Sequence, residues 1–208
     1  MSLNLYFLRH GETTHSQDDA FCGTTDPALT ERGEKMAEAF ANAYQGMNWA
    51  AIYVSPLLRT RQTAQPICKA TGLEPQLREG IQEMNFGLWE GQNRDRVQRD
   101  YLQEYVCWLT EPAWNAPPEG ETAVQVASRA SLVIAEIEDR HESGNVLLIS
   151  HKSTIRILLC SLLGLDLGRY RDRIEMPVSS VSVIKFDLYG PMLQRLGDRA
   201  HLPEDLRV

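Results

Sequence analysis

Short apolar runs suited to strands alternate along this chain with stretches whose apolar residues recur at helical spacing, and no other feature narrows the fold so far. Parallel strands cannot be joined by tight turns and need crossover helices, so the alternation predicts an α/β fold. Its expected form is a three-layer sandwich, a mostly parallel central sheet flanked by helices. Strands are read at Leu3 to Leu8, Ala51 to Val54, Val146 to Ile149 and Val181 to Phe186; Tyr189-Gly190-Pro191 then turns into a last strand, Met192 to Leu196. Thr30 caps a helix with Met36, Phe40, Ala41 and Tyr44 on one face, and a helix from Arg59 to Ala70 stops at Gly72. Arg94 to Leu109 reads as one amphipathic helix and Glu111 to Glu119 as a Pro-rich break. Thr122 opens a long helix ending near Gly144, and Lys152 to Leu163 is helical again. No repeat or linker interrupts the pattern, so residues 1–208 are expected to form one domain.

At 208 residues the chain can bury roughly 70% of its unfolded surface without staples. Its four cysteines, at 22, 68, 107 and 160, show no C-x-x-C spacing and read as buried thiols of a cytoplasmic protein. The opening residues, Met1 to Leu8, are too short an apolar run for a signal peptide. The longest apolar region, Ile155 to Leu165, contains Arg156 and falls short of the roughly 20 residues that span a bilayer, so no membrane partner is expected. A net charge of −7 argues against nucleic acid, whose binding needs a basic face. Yet 17 of the 21 cations are Arg, the side chain whose planar fork suits carboxylate and phosphate. An anionic small molecule fits that skew.

Three strands end alike. The first runs into Arg9-His10-Gly11-Glu12, the second into Ser55-Pro56 and then Arg59 at a helix start, and Ile149 into Ser150-His151. Parallel strands present their carboxyl ends at one edge, where ligands bind. Two Arg and two His therefore converge, although Arg9 and His151 are 142 positions apart. Such a cluster beside helix starts suits a phosphate dianion. A neutral imidazole there can attack phosphorus and carry the phosphoryl group, while cations hold charge on the equatorial oxygens. Glu83, in an irregular segment, is a candidate acid for the leaving alkoxide. No cofactor is called for, and no metal.

Arg9-His10-Gly11-Glu12-Thr13 after the first strand resembles the signature of the histidine phosphatase superfamily, which includes the phosphoglycerate mutases. Three more matches follow in the family's order: Ser55 to Ala64, Glu83 to Gly91, and Ser150-His151. The resemblance spans Leu3 to about Phe186. It implies a phosphoglycerate mutase-like fold and His10 as phosphorylated nucleophile, with Arg9, Arg59 and His151 around the phosphate and Glu83 as proton donor. It also implies a backbone contact from Cys22 and Gly23, where the family bends its loop over the phosphate. Two positions depart from the family: Ser16 stands where Asn is usual, with a shorter reach toward phosphate, and Lys152 stands where Gly is usual, adding a charge near the phosphate or a substrate carboxylate.

Other polar residues read as structural. Arg61, Arg94, Arg96 and Arg99 are taken as solvated, His15 and His141 as surface residues with His15 near the site's mouth, and Glu12 as a partner orienting Arg9. Gln92 and Ile149 are only 57 positions apart, which leaves little chain for the cap insertion that the mutases carry. The resemblance then favours a metal-independent phosphatase acting on a small phosphomonoester, with phosphoserine, the substrate of a serine-biosynthetic enzyme, first. Sugar phosphates, α-ribazole phosphate, a mutase-type isomerase and a catalytically inactive binding module are the alternatives. Residues 187–208 are expected to close the site, with His201 reading the carboxylate of phosphoserine. A homodimer is the expected assembly.

Overall fold

The computed structural model describes residues 2–18 and 20–207. Its strands are β1 (Leu3–Arg9), β2 (Trp49–Val54), β3 (Pro75–Leu77), β4 (Gly144–Ser150), β5 (Val181–Asp187) and β6 (Gly190–Asp198). Its helices are α1 (Thr14–Gln17), α2 (Glu31–Tyr44), α3 (Leu58–Thr71), α4 (Arg94–Asp100), α5 (Leu102–Thr110), α6 (Ala123–Arg140), α7 (Lys152–Leu163), α8 (Tyr170–Arg173) and α9 (Glu204–Arg207). The sheet order is β3-β2-β4-β1-β5-β6. β3, β2, β4 and β1 are parallel, β5 runs antiparallel to β1, and β6 antiparallel to β5. The fold is thus the helix-flanked α/β sheet that the alternation predicts.

Period-2 alternation divides β1 between two cores. Leu3, Leu5 and Phe7 join Val146 and Leu148 of β4 beneath Val126, Ala130 and Ile134 of α6 and Ile155, Leu158 and Leu159 of α7. Leu8 faces the other way, with Leu147, Ile149, Ile52 and Val54, against Phe40 and Ala41 of α2 and Ala64 and Ile67 of α3. Each such side chain contributes roughly 1.5–3 kcal/mol on burial. Local signals agree: Thr30 accepts from Gly33 N at the start of α2, Thr122 forms a capping box with Gln125 at the start of α6, and Gly72 ends α3 at φ 72°.

Several expectations are corrected. The single helix expected over Arg94 to Leu109 breaks at Tyr101 (φ −137°, ψ 45°) into α4 and α5. Val97, Tyr105 and Trp108 are buried on both sides of the break at helical spacing, so periodicity runs through it unchanged. β3 was not foreseen, because three residues beginning with Pro carry no alternation. α6 ends at Arg140, and Gly144 begins β4 instead. All four cysteines are free thiols, but only Cys160 is buried; Cys22 and Cys68 are half-buried and Cys107 is exposed. Beyond β6 the chain packs Leu202 and Leu206 onto Met36 of α2, an apolar anchor for the C-terminal segment. Among the described residues no helix is long and apolar enough to cross a membrane.

Candidate active site

Backbone bonds lock the three strand ends together. His10 N donates to Ser150 O at 3.1 Å and Ser55 N donates to Ile149 O at 3.0 Å, fixing the residues that follow β1, β2 and β4 in one layer. Gly11 has no room for a Cβ, which would lie 2.5 Å from Gly33 O where α2 crosses, so glycine alone lets the helix approach the His10 loop.

His10 and His151 are both buried, their ring centroids 5.3 Å apart. His10 Nδ1 lies 2.7 Å from Gly11 O. A carbonyl only accepts, so Nδ1 carries the proton and Nε2 keeps its lone pair. Burial first, then Arg59 and Arg9, hold the His10 pKa well below the ordinary value of 6.5. The imidazole is therefore neutral near pH 7, as a nucleophile must be. His151 has the opposite tautomer. Arg59 Nε donates to its Nδ1 at 3.1 Å, so Nε2 carries the proton and donates to Ser55 Oγ at 2.7 Å. Burial, then Arg59, His10 and Arg9, keep His151 neutral too.

Arg59 is 1% exposed, and its remaining donors meet the carbonyls of Thr25 (2.8 Å), Gly23 (3.0 Å) and Cys22 (3.4 Å). It therefore stands behind the cavity wall, straddling His151 and the loop over the site. Arg9 lines the cavity and donates from Nη1 to Met176 O at 2.7 Å. Glu83 also lines it. Its Oε1 accepts from Met84 N (2.9 Å) and Thr154 N (3.1 Å), and its Oε2 from Ser153 N (3.1 Å), which fixes the carboxyl at the start of α7.

The cavity, about 150 Å³, is walled by Phe21, Phe86, Trp108 and Tyr170. Among the described residues its charges are one-sided: Arg9, Arg94, Lys152, Arg156 and Arg171 face it, and Glu83 is its one carboxylate. The Arg171 guanidinium lies over the Trp108 ring, 3.8 Å from the centroid. Among the described residues no group of three or more His, Cys, Asp or Glu is placed to hold a metal ion.

The structure thus brings His10, Arg9, Arg59, His151 and Glu83 together with Lys152, Ser16 and Cys22. Ser16 lines the cavity, but its hydroxyl accepts from Thr13 N and donates to Thr13 O, each at 2.8 Å. The Cys22 thiol, whose pKa burial raises, faces the cavity. Gly23 differs from expectation: its N–H donates to Glu90, and it is glycine because a Cβ would strike Met84 O and Glu90 Oε1. Glu12, expected to orient Arg9, is held by Arg32 (3.4 Å), Thr30 Oγ1 (2.8 Å) and Gln17 Nε2 (3.0 Å). His201 lies outside the cavity, its ring edge-on to Phe40 and Tyr44 of α2, and residues 187–207 supply no part of the wall.

Sequence reasoning missed three features. Glu90 accepts from the amides of Gly23, Thr24, Thr25 and Phe86 and from Thr25 Oγ1, clamping the loop whose carbonyls hold Arg59. Ser55 holds His151. Arg94, taken as solvated, reaches the cavity with Arg156 and Arg171. Glu90 closes the third motif, which was a signal; the three Arg residues lie on separate elements and gave none.

The sequence pattern of the histidine phosphatase superfamily (branch 1) matches residues 5–199. Phosphoserine phosphatase 1 of Hydrogenobacter thermophilus is 31% identical over 202 residues, covering 97% of this chain and 95% of that protein. The adenosylcobalamin/alpha-ribazole phosphatase of Escherichia coli K12 is 28% identical over 164 residues, covering 78% of this chain and 80% of that protein. Among solved structures, Bacillus stearothermophilus YhfR superposes with a TM-score of 0.89 at 28% identity, covering 96% of this chain and 98% of the other.

Proposed function

This chain belongs to the histidine phosphatase superfamily and is a phosphomonoester hydrolase, and from that premise we propose that it works through a phosphohistidine at His10 with phosphoserine as its substrate. The observation that carries the mechanism is the His10 tautomer: Nδ1–H held by Gly11 O leaves Nε2 as a neutral nucleophile in a cationic pocket. Nε2 attacks phosphorus, the ester P–O bond breaks, and the serine alkoxide takes a proton through the Glu83 carboxyl group. Water then attacks the phosphohistidine, giving a proton to the Glu83 carboxylate, and phosphate leaves Nε2. Arg9 and Lys152 face the cavity where the phosphoryl charge spreads, and Arg59, buried behind the wall and bonded to His151 Nδ1, adds a third positive charge. The required charge stabilisation comes from these side chains, so the reaction is proposed to run without a metal. The 31% identity to a phosphoserine phosphatase over nearly the whole chain supports the substrate.

Rapid quench with labelled phosphoserine in the presence of chelator is expected to trap an acid-labile, base-stable phosphoenzyme. His10→Ala should form none and should lose turnover. Full activity in His10→Ala would overturn the mechanism, and chelator-sensitive turnover would overturn metal independence. A kcat/KM for phosphoserine no better than for glycerol 3-phosphate would remove phosphoserine as the substrate.

A further inference from the structure

Two other guanidinium groups of this chain, those of Arg129 and Arg59, are matched. Arg129 forks onto Glu121 (2.8 and 2.9 Å) and the carbonyls of Gly80 and Gln82, and Arg59 is spread over three loop carbonyls and His151. Arg156 of α7 and Arg171 of α8 are different. Both are half-buried and face the cavity, and among the described residues neither makes a hydrogen bond or an ion pair. Arg156 Nε is fully enclosed without an acceptor, and Arg171 has only the Trp108 face beneath it.

Leaving donors and charge half-desolvated and unmatched costs stability, and burial weakens the hold of both groups on their protons. Arg94, exposed at the start of α4, adds a third guanidinium to the same wall. These three lie apart from Arg9 and Arg59, which follow the strand ends. They exceed what one phosphate dianion needs, and Glu83, the one carboxylate of the cavity among the described residues, is already engaged by backbone amides.

We infer that Arg156 and Arg171, with Arg94 at the rim, form a second anion subsite that takes the carboxylate of a small phosphorylated carboxylic acid. The inference rests on the phosphatase reading and specifies its substrate class. A planar carboxylate suits the arrangement: it can accept from the part of the Arg156 guanidinium that lines the cavity and from Arg171, whose plane Trp108 holds. The cavity volume limits the acid to a few carbons. The subsite displaces His201 from the role that the sequence suggested, and it makes no demand on an amino group.

Four esters separate the contributions: phosphoserine has a carboxylate and an ammonium, 3-phosphoglycerate a carboxylate only, phosphoethanolamine an ammonium only, and glycerol 3-phosphate neither. The wild-type enzyme should prefer both carboxylated esters through KM. In Arg156→Gln and in Arg171→Gln the kcat/KM ratio of 3-phosphoglycerate to glycerol 3-phosphate should fall roughly ten- to a hundredfold, the span for losing a hydrogen bond to a charged group. Arg171→Glu should move preference toward phosphoethanolamine. Arg171→Lys, which keeps charge but loses the fork, should fall between wild type and the Gln variant, and provides the test if the Glu variant does not fold. An unchanged ratio in the Gln variants, or a wild-type enzyme indifferent to the carboxylate, would overturn the subsite while leaving phosphatase chemistry standing. Failure to hydrolyse any ester, p-nitrophenyl phosphate included, would overturn the functional reading beneath it.

Discussion

At the scale of single residues, the two histidines show how neighbours assign different tasks to one side chain. Gly11 O draws the His10 proton to Nδ1, whereas Arg59 forces the His151 proton to Nε2. The depressed His10 pKa has a testable sign: the reactive form is the neutral one, so it persists as pH falls well below 6.5, and the acid limb of kcat/KM should lie there. Removing a neighbouring positive charge raises that pKa, so Arg9→Gln should move the acid limb to higher pH besides slowing turnover. A pH–rate profile whose acid limb stays in place would show that Arg9 does not act on His10. Glu83→Gln should slow phosphoserine hydrolysis by roughly two to four orders of magnitude, the span for a positioned acid or base. Phosphoenzyme formation from p-nitrophenyl phosphate, whose leaving group needs little protonation, should suffer less in rapid-quench measurements. Equal losses would remove Glu83 from the acid role. These residues were legible because they fall in four ordered motifs at strand ends. Arg156 and Arg171 were not, since an Arg beside a cavity and an Arg in water look alike until the chain is folded.

At the scale of elements, the loop from Cys22 to Thr25 has no regular structure and is held by one carboxylate. Glu90 accepts from three successive loop amides, and the loop's outward carbonyls then receive Arg59. Glu90→Ala should cost about 1.5–3 kcal/mol, the worth of a hydrogen bond to a charged group, and so lower Tm by roughly 3–12 °C in a chain of this size. kcat should fall with it, because Arg59 loses its fixed acceptors; calorimetry beside steady-state kinetics checks both. The same contrast governs what could be read ahead. Helices α2, α3, α6 and α7 carry caps and apolar stripes and were found within a few residues. The break at Tyr101 and the edge strand β3 depend on packing at single positions, and a pattern of period 2 or 3.6 does not register them.

At the scale of the whole molecule, the C-terminal segment acts as a fastener on α2. His201 is inserted against Phe40 and Tyr44, neither ring nitrogen has a hydrogen-bond partner among the described residues, and burial lowers its pKa to about 4. The folded chain thus refuses a proton that the unfolded chain accepts near 6.5. Its contribution to stability is complete above that pH and declines as pH falls toward 4. His10 and His151 shift in the same direction, so the comparison must isolate one ring. Thermal unfolding of His201→Phe should lose less Tm than wild type between pH 6.5 and 4. Identical pH dependence in the two proteins would show that the segment is not fastened through this histidine.

The strand order also bears on when this enzyme can exist. β4 joins β1 to β2, and β1 pairs with β4 and β5 alone, so both neighbours of the strand bearing Arg9 and His10 come from residues 144–187. During synthesis β1 precedes both of its neighbours and waits, without a strand to pair with, until residues 144–187 have followed it. A chain cut before Gly144 would hold every residue of the first three motifs but neither strand that flanks β1, and is expected to hydrolyse no phosphoester.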